Sequence, residues 1–229
     1  MTIKIRGAYH PIAAALLILL SASLPSRSAT AADKTGRLIN VRDGKLERFS
    51  GGAWHEVKKG GDISPGDRLK TDKTGLAVVE LPGAGRLVIG PDTEMDLGKD
   101  TKEFKGKVAR GSVWLNAKLP KGGRASISTS LATAGVRGTK FSVCYNGKTF
   151  CACTCSGEVE VLLNDGKKMP VPGGRYYWFN EGKPLPDETK PAGVELENRS
   201  AGFGFCFNCH EPGGKGELKR DLELSIPLQ

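Results

Sequence analysis

Apolar and polar positions alternate with a period of two in several short runs: Leu38-Ile39-Asn40-Val41, Leu76-Ala77-Val78-Val79-Glu80-Leu81, Ser112-Val113-Trp114-Leu115 and Phe141-Ser142-Val143. Successive side chains of a strand point to opposite faces, so each run predicts a half-buried β-strand. No stretch keeps a helical 3.6-residue period for three turns. Glycine punctuates the runs, with 31 in the chain. Gly36-Arg37-Leu38, Gly111-Ser112-Val113-Trp114-Leu115 and Gly157-Glu158-Val159-Glu160-Val161 share a form in which a glycine turns the chain into a strand. Their spacing is too irregular for a solenoid. The pattern predicts an all-β fold, a sandwich or roll of short antiparallel strands. Beyond Asn180, the residues Gly182, Pro184, Pro186, Pro191 and Gly193 leave little room for a ladder and read as a linker. Glu217 to Leu224 suits a short helix on Leu218, Leu222 and Leu224, although eight residues are marginal alone.

The first 31 residues change the picture of where this fold works. Lys4 and Arg6 give a positive start, Ile12 to Leu20 are mainly apolar, and Ala29-Thr30-Ala31 is a small-x-small cleavage pattern. That apolar run is short of the roughly 20 residues a spanning helix needs, so the expectation is a cleaved signal peptide and a periplasmic or secreted mature chain without a transmembrane segment. The organisation expected is signal peptide 1–31, β domain 32–180, and linker with tail 181–229. The formal charge of +9 falls when Lys4, Arg6 and Arg27 leave with the signal. The remaining mild excess shows no basic stripe with interleaved aromatics, which argues against a nucleic-acid partner.

All six cysteines follow the signal, so they enter an oxidising compartment in a bacterial cell. Cys206-Phe207-Asn208-Cys209-His210 is a C-x-x-C-H sequence, the attachment pattern for one covalent haem c. Its two thiols would bond the porphyrin vinyl groups and the His210 imidazole would be the proximal iron ligand. The alternatives are a C-x-x-C disulfide or a zinc half-site. Too little chain follows His210 for a freestanding cytochrome, so the haem would lean on the β domain or on a partner. Candidates for a sixth ligand are His55, Met95 and Met169, each of which also suits plain packing.

Cys144, Cys151, Cys153 and Cys155 form a second constellation. Asn146-Gly147 favours a hairpin between the strands that carry them. A two-residue turn would put Cys144 opposite Thr149 and on the same face as the other three thiols. Pairing along the strand is strained, whereas pairing across it to Cys144 is easier. The expectation is one disulfide or inert thiols, with a metal cluster as the alternative. No Ser-His-Asp set, phosphate-binding loop or carboxylate pair stands out, which argues against an enzyme.

Residues 36 to 179 resemble the FecR domain, the exported β domain of sensors in bacterial iron-uptake signalling. The resemblance rests on Trp54, Gly66-Asp67-Arg68-Leu69 and Thr71; on Leu81 through Pro91-Asp92-Thr93-Glu94; on Gly111-Ser112-Val113-Trp114; and on Thr133-Ala134-Gly135-Val136-Arg137-Gly138-Thr139-Lys140-Phe141-Ser142-Val143 followed by Gly157-Glu158-Val159-Glu160-Val161. It implies a ligand- or partner-facing β module rather than an enzyme. The sigma-regulating segment and membrane helix of such sensors have no counterpart here. Taken together, the sequence predicts an exported monohaem c-type cytochrome on a FecR-like module, transferring electrons or serving a periplasmic redox complex with a protein partner. The alternatives are a haem-based or ligand-binding sensor module and a non-redox envelope scaffold with structural cysteines.

Overall fold

The computed structural model describes residues 35–100, 103–192 and 210. The signal peptide, Cys206, Cys209 and the expected C-terminal helix lie outside the described residues. Within them the chain is all-β, and no helix is long and apolar enough to cross a membrane.

Seventeen strands follow in order. They are β1 (Gly36–Arg42), β2 (Leu46–Ser50), β3 (Ala53–Val57), β4 (Asp62–Ile63), β5 (Arg68–Thr71), β6 (Leu76–Leu81), β7 (Gly85–Ile89), β8 (Glu94–Leu97), β9 (Phe104–Ala117), β10 (Ala125–Ser128), β11 (Ala132–Val136), β12 (Lys140–Tyr145), β13 (Thr149–Ser156), β14 (Glu158–Leu163), β15 (Lys168–Pro172), β16 (Arg175–Asn180) and β17 (Lys190–Pro191). One sheet runs β4-β1-β6-β7-β9-β12-β13-β16-β17. The other runs β3-β2-β5-β8-β9-β10-β11-β14-β15.

The strand common to both is β9. Its first half pairs with β8 and β10, and its second half with β7 and β12. Fourteen residues laid straight would span about 45 Å, yet the connection 118–124, which reaches roughly 25 Å at most, returns the chain to pair Ala125 with Phe104. The strand must therefore fold over, and Gly111, at φ +97°, is where it does. A Cβ there would fall onto Thr93. Gly111 is thus a bend inside a long strand, not the strand entry that the sequence suggested. The β9–β10 pair is parallel, whereas the sequence pattern implied antiparallel pairing throughout.

The core lies between the two sheets. Val79, Leu87, Leu115, Phe141, Phe150 and Tyr177 come from the first, meeting Leu46, Leu69, Met95, Ile127, Val159 and Val161 from the second. Thr71 Oγ1 donates to Gly90 O at 2.5 Å and accepts from Thr93 N at 3.0 Å, while Thr93 Oγ1 accepts from Ser112 N at 2.9 Å. These threonines tie the strand ends to the β9 bend.

The outer faces of the two sheets differ. On β14 the alternation is clean, with Glu158, Glu160 and Leu162 exposed. Across the middle of the first sheet the outward side chains Val78, Val88, Trp114, Ser142, Cys144 and Tyr176 are buried as well, and β13 is buried along all but its last residue. A strand covered on both faces loses its alternation in favour of a continuous apolar run, as Phe150-Cys151-Ala152-Cys153 shows.

Candidate functional site

Two places on this scaffold carry chemistry. The first is the outer face of the first sheet. Phe141, Val143, Phe150 and Ala152 point into the core, so their neighbours Cys144, Cys151, Cys153 and Cys155 point out. Cys144 sits opposite Cys151, not opposite Thr149. The turn sits one residue further along, on Gly147-Lys148: Asn146 N donates to Thr149 O at 3.4 Å, and Asn146 Oδ1 accepts from both Lys148 N and Thr149 N. The resulting shift of two residues on β13 leaves every side chain on its expected face.

This face divides. Cys144, Cys151 and Cys153 cluster with Tyr176, Trp178 and Ala192. Cys155 packs with Trp114, Leu76, Val78 and Val88. Among the described residues no disulfide joins two of the four thiols, and no three His, Cys, Asp or Glu side chains form a metal-holding group.

His210 is seated on this face. It is 0% exposed, as is Cys153, and its Nε2 lies 3.4 Å from Cys153 Sγ. That is hydrogen-bond contact for sulfur. A proximal haem ligand needs Nε2 turned to iron, with the porphyrin plane spread in front of it. Here the nitrogen faces a buried thiol, and the two cysteines of the haem motif lie outside the described residues.

The candidate sixth ligands are not brought to His210. His55 is exposed on β3, an edge strand of the other sheet, where its Nε2 lies 3.2 Å from Ser50 O. Met95 and Met169 are packed into the core.

The second place is a cleft of about 600 Å³ between the start of β9, the β10–β11 pair and the start of β14. The Arg137-Gly138-Thr139 turn lines it, with Arg124, Glu103, Glu158 and Glu160. Ala125 pairs with Val136, and that register carried one step further sets Arg124 opposite Arg137. Like charges in opposing positions repel. Every other arginine among the described residues is engaged: Arg37, Arg42, Arg48, Arg68, Arg86 and Arg110 in ion pairs and Arg175 on Thr189. Arg124 and Arg137 have neither kind of partner among the described residues. The sequence brought Arg137 forward only within the FecR-like run from Thr133 to Val143 and gave no sign of Arg124, which the β10–β11 register brings beside it.

Comparison with known proteins places part of this architecture. The family described as "FecR protein" matches residues 67–160, a span that holds both cleft arginines and all four cysteines of the sheet. No curated protein matches the chain. Two crystal structures of a candidate anti-sigma factor from Parabacteroides distasonis ATCC 8503 are similar at 17% identity and a TM-score of 0.49, over 54% of this chain. The chain spans 59% of the length of those structures.

Proposed function

We propose that this chain is an exported, non-catalytic binding module of FecR type that holds an acidic segment of a protein partner in the cleft beside the Arg137 turn. One observation carries this reading: the two arginines without described partners lie across from each other in the same cleft. A planar guanidinium presents a fork of donors that matches a carboxylate in two parallel hydrogen bonds. Two such forks side by side repel each other until an anion lies between them. The cleft offers no nucleophile with an adjacent base, so binding rather than turnover is what it supports.

A poly-glutamate peptide is the direct probe. The expected result is binding that weakens with salt and falls at least several-fold in Arg124→Ala and in Arg137→Ala, with poly-lysine inert. Equal binding by wild type and both variants, or none by wild type, defeats the reading. Glu103 and Glu158 at the cleft wall restrict how much negative charge the site takes, which favours a peptide with spaced carboxylates over a dense polyanion.

The rival is the monohaem cytochrome, which the Cys206-to-His210 sequence supports. It requires His210 to leave Cys153. A reduced-minus-oxidised visible spectrum of protein made with haem-attachment machinery decides it: covalent haem absorbance favours the cytochrome, and polypeptide mass alone favours the binding module.

A further inference from the structure

Cys144 and Cys151 serve neither the arginine cleft nor the His210 contact. We propose that these two thiols are a site of oxidative modification, closing a disulfide across the β12–β13 hairpin that leaves Cys153 and Cys155 out.

The register selects the pair. Cys144 stands directly opposite Cys151, and both side chains belong to one buried cluster on the outer face of the first sheet. Asn146 N donates to Thr149 O at 3.4 Å, which makes Asn146 and Thr149 a hydrogen-bonded pair at the turn. Antiparallel pairs alternate in kind, so Tyr145 with Phe150 is a non-hydrogen-bonded pair and Cys144 with Cys151 is again a hydrogen-bonded one, its Cα atoms about 5.5 Å apart. A disulfide spans about 4.4–6.8 Å between Cα atoms, most often near 5.5–6 Å.

The other combinations fall at or beyond that limit. Cys153 faces Ser142, so it lies diagonal to Cys144 at roughly 7–8 Å. Cys151 and Cys153 are two steps apart along one strand, about 6.5 Å, with their side chains standing side by side. Cys153 is also held by its contact with His210 Nε2, and Cys155 packs in the separate cluster around Trp114.

The two thiols are not bonded to each other in the structure, so the step is an oxidation, and the oxidant is an external disulfide. One thiolate attacks a sulfur of that carrier to give a mixed disulfide, and the second thiolate then displaces the carrier. The new S–S bond forms as two electrons pass to the carrier, which leaves as two thiols bearing the two protons. Residues 145–150 alone separate the pair, and a hairpin forms within roughly microseconds, so the thiols meet while the sheet face is still open. Each side chain is 2% exposed once the sheet is complete, which then shields the bond from reducing thiols.

The test uses the full chain, reduced, unfolded and then refolded with oxidised glutathione in excess over reduced. After alkylation in denaturant and digestion with trypsin, without reduction, the peptides Phe141–Lys148 and Thr149–Lys167 should appear as one linked species. Its mass should fall two hydrogens below their sum, and dithiothreitol should split it. Fragmentation should place the link at Cys151. The linkage should vanish in Cys151→Ser and persist in Cys155→Ser. A wild-type Cys144 that is alkylated under these conditions, or that is joined to Cys153, to Cys155, to a cysteine of the tail or to glutathione, overturns the proposal. The wild-type digest decides even where a variant does not fold.

Discussion

Cys153 Sγ and His210 Nε2 meet at 3.4 Å across 57 positions of sequence, on a sheet face already rich in sulfur and aromatic rings. A contact so distant in sequence and so thoroughly dehydrated restrains the chain wherever it is maintained. Cys153→Ala and His210→Ala should each lower the melting temperature, and the double variant should lose less than the sum of the two, because the two side chains share one contact. Strictly additive losses would detach the two side chains from each other.

Asp72 gives a prediction about acid. Partial burial raises its pKa, but hydrogen bonds from the Gly75, Lys45 and Thr74 backbone and the charge of Lys45 together hold it below the ordinary aspartate value of 3.8. Gly75 N donates to its Oδ1 at 2.7 Å. A carboxyl with a depressed folded pKa contributes stability above its unfolded value, and that contribution drains away as pH falls through the folded one. Asp72→Asn should therefore lower stability at neutral pH and flatten the acid side of a stability-versus-pH curve below about 4. An unchanged acid limb would show that the turn does not depend on the charge.

Gly111 sits at φ +97° with Thr93 where a Cβ would go. Gly111→Ala should cost roughly 1–3 kcal/mol from backbone strain alone, with the displacement of Thr93 added to it. Urea denaturation reads this as a lower midpoint. A midpoint equal to wild type would mean that β9 bends elsewhere.

Trp114 is 1% exposed, and its Nε1 has no hydrogen-bond partner among the described residues. A buried donor left unmatched costs about 1–3 kcal/mol, so Trp114→Phe should lose less than the removed area implies and come close to wild-type stability. Trp114→Ala, which leaves a cavity, should cost about 3–5 kcal/mol. Equal losses in the two variants would indicate that the indole nitrogen finds an acceptor in solution.

The strands and their faces were legible in the sequence because a period of two survives small errors of register. Cys144 was expected opposite Thr149 and stands opposite Cys151, yet it keeps its face, since a slip of two residues moves a strand along without turning it over. The bend at Gly111 was not legible: a glycine before an alternating run reads the same whether it starts a strand or folds one. Nor was the second burial of the first sheet. Trp114, Tyr176 and Trp178 alternate as solvent-facing residues would, and only three-dimensional packing shows the first two covered and Trp178 half-buried. Arg124 lacked any local signal, because its significance lies in the register that faces it with Arg137.

The folded-over β9 has a consequence for how this module can be inherited or broken. Its two halves belong to different sheets, so no cut through the chain separates one sheet from the other with its ladder intact. A frameshift or truncation beyond Gly111 takes β10, β11, β14 and β15 from one sheet and β12, β13, β16 and β17 from the other. Neither remnant retains a closed core. Recombination can therefore transplant this module only whole, and a truncated allele should behave as a null rather than as a weakened form.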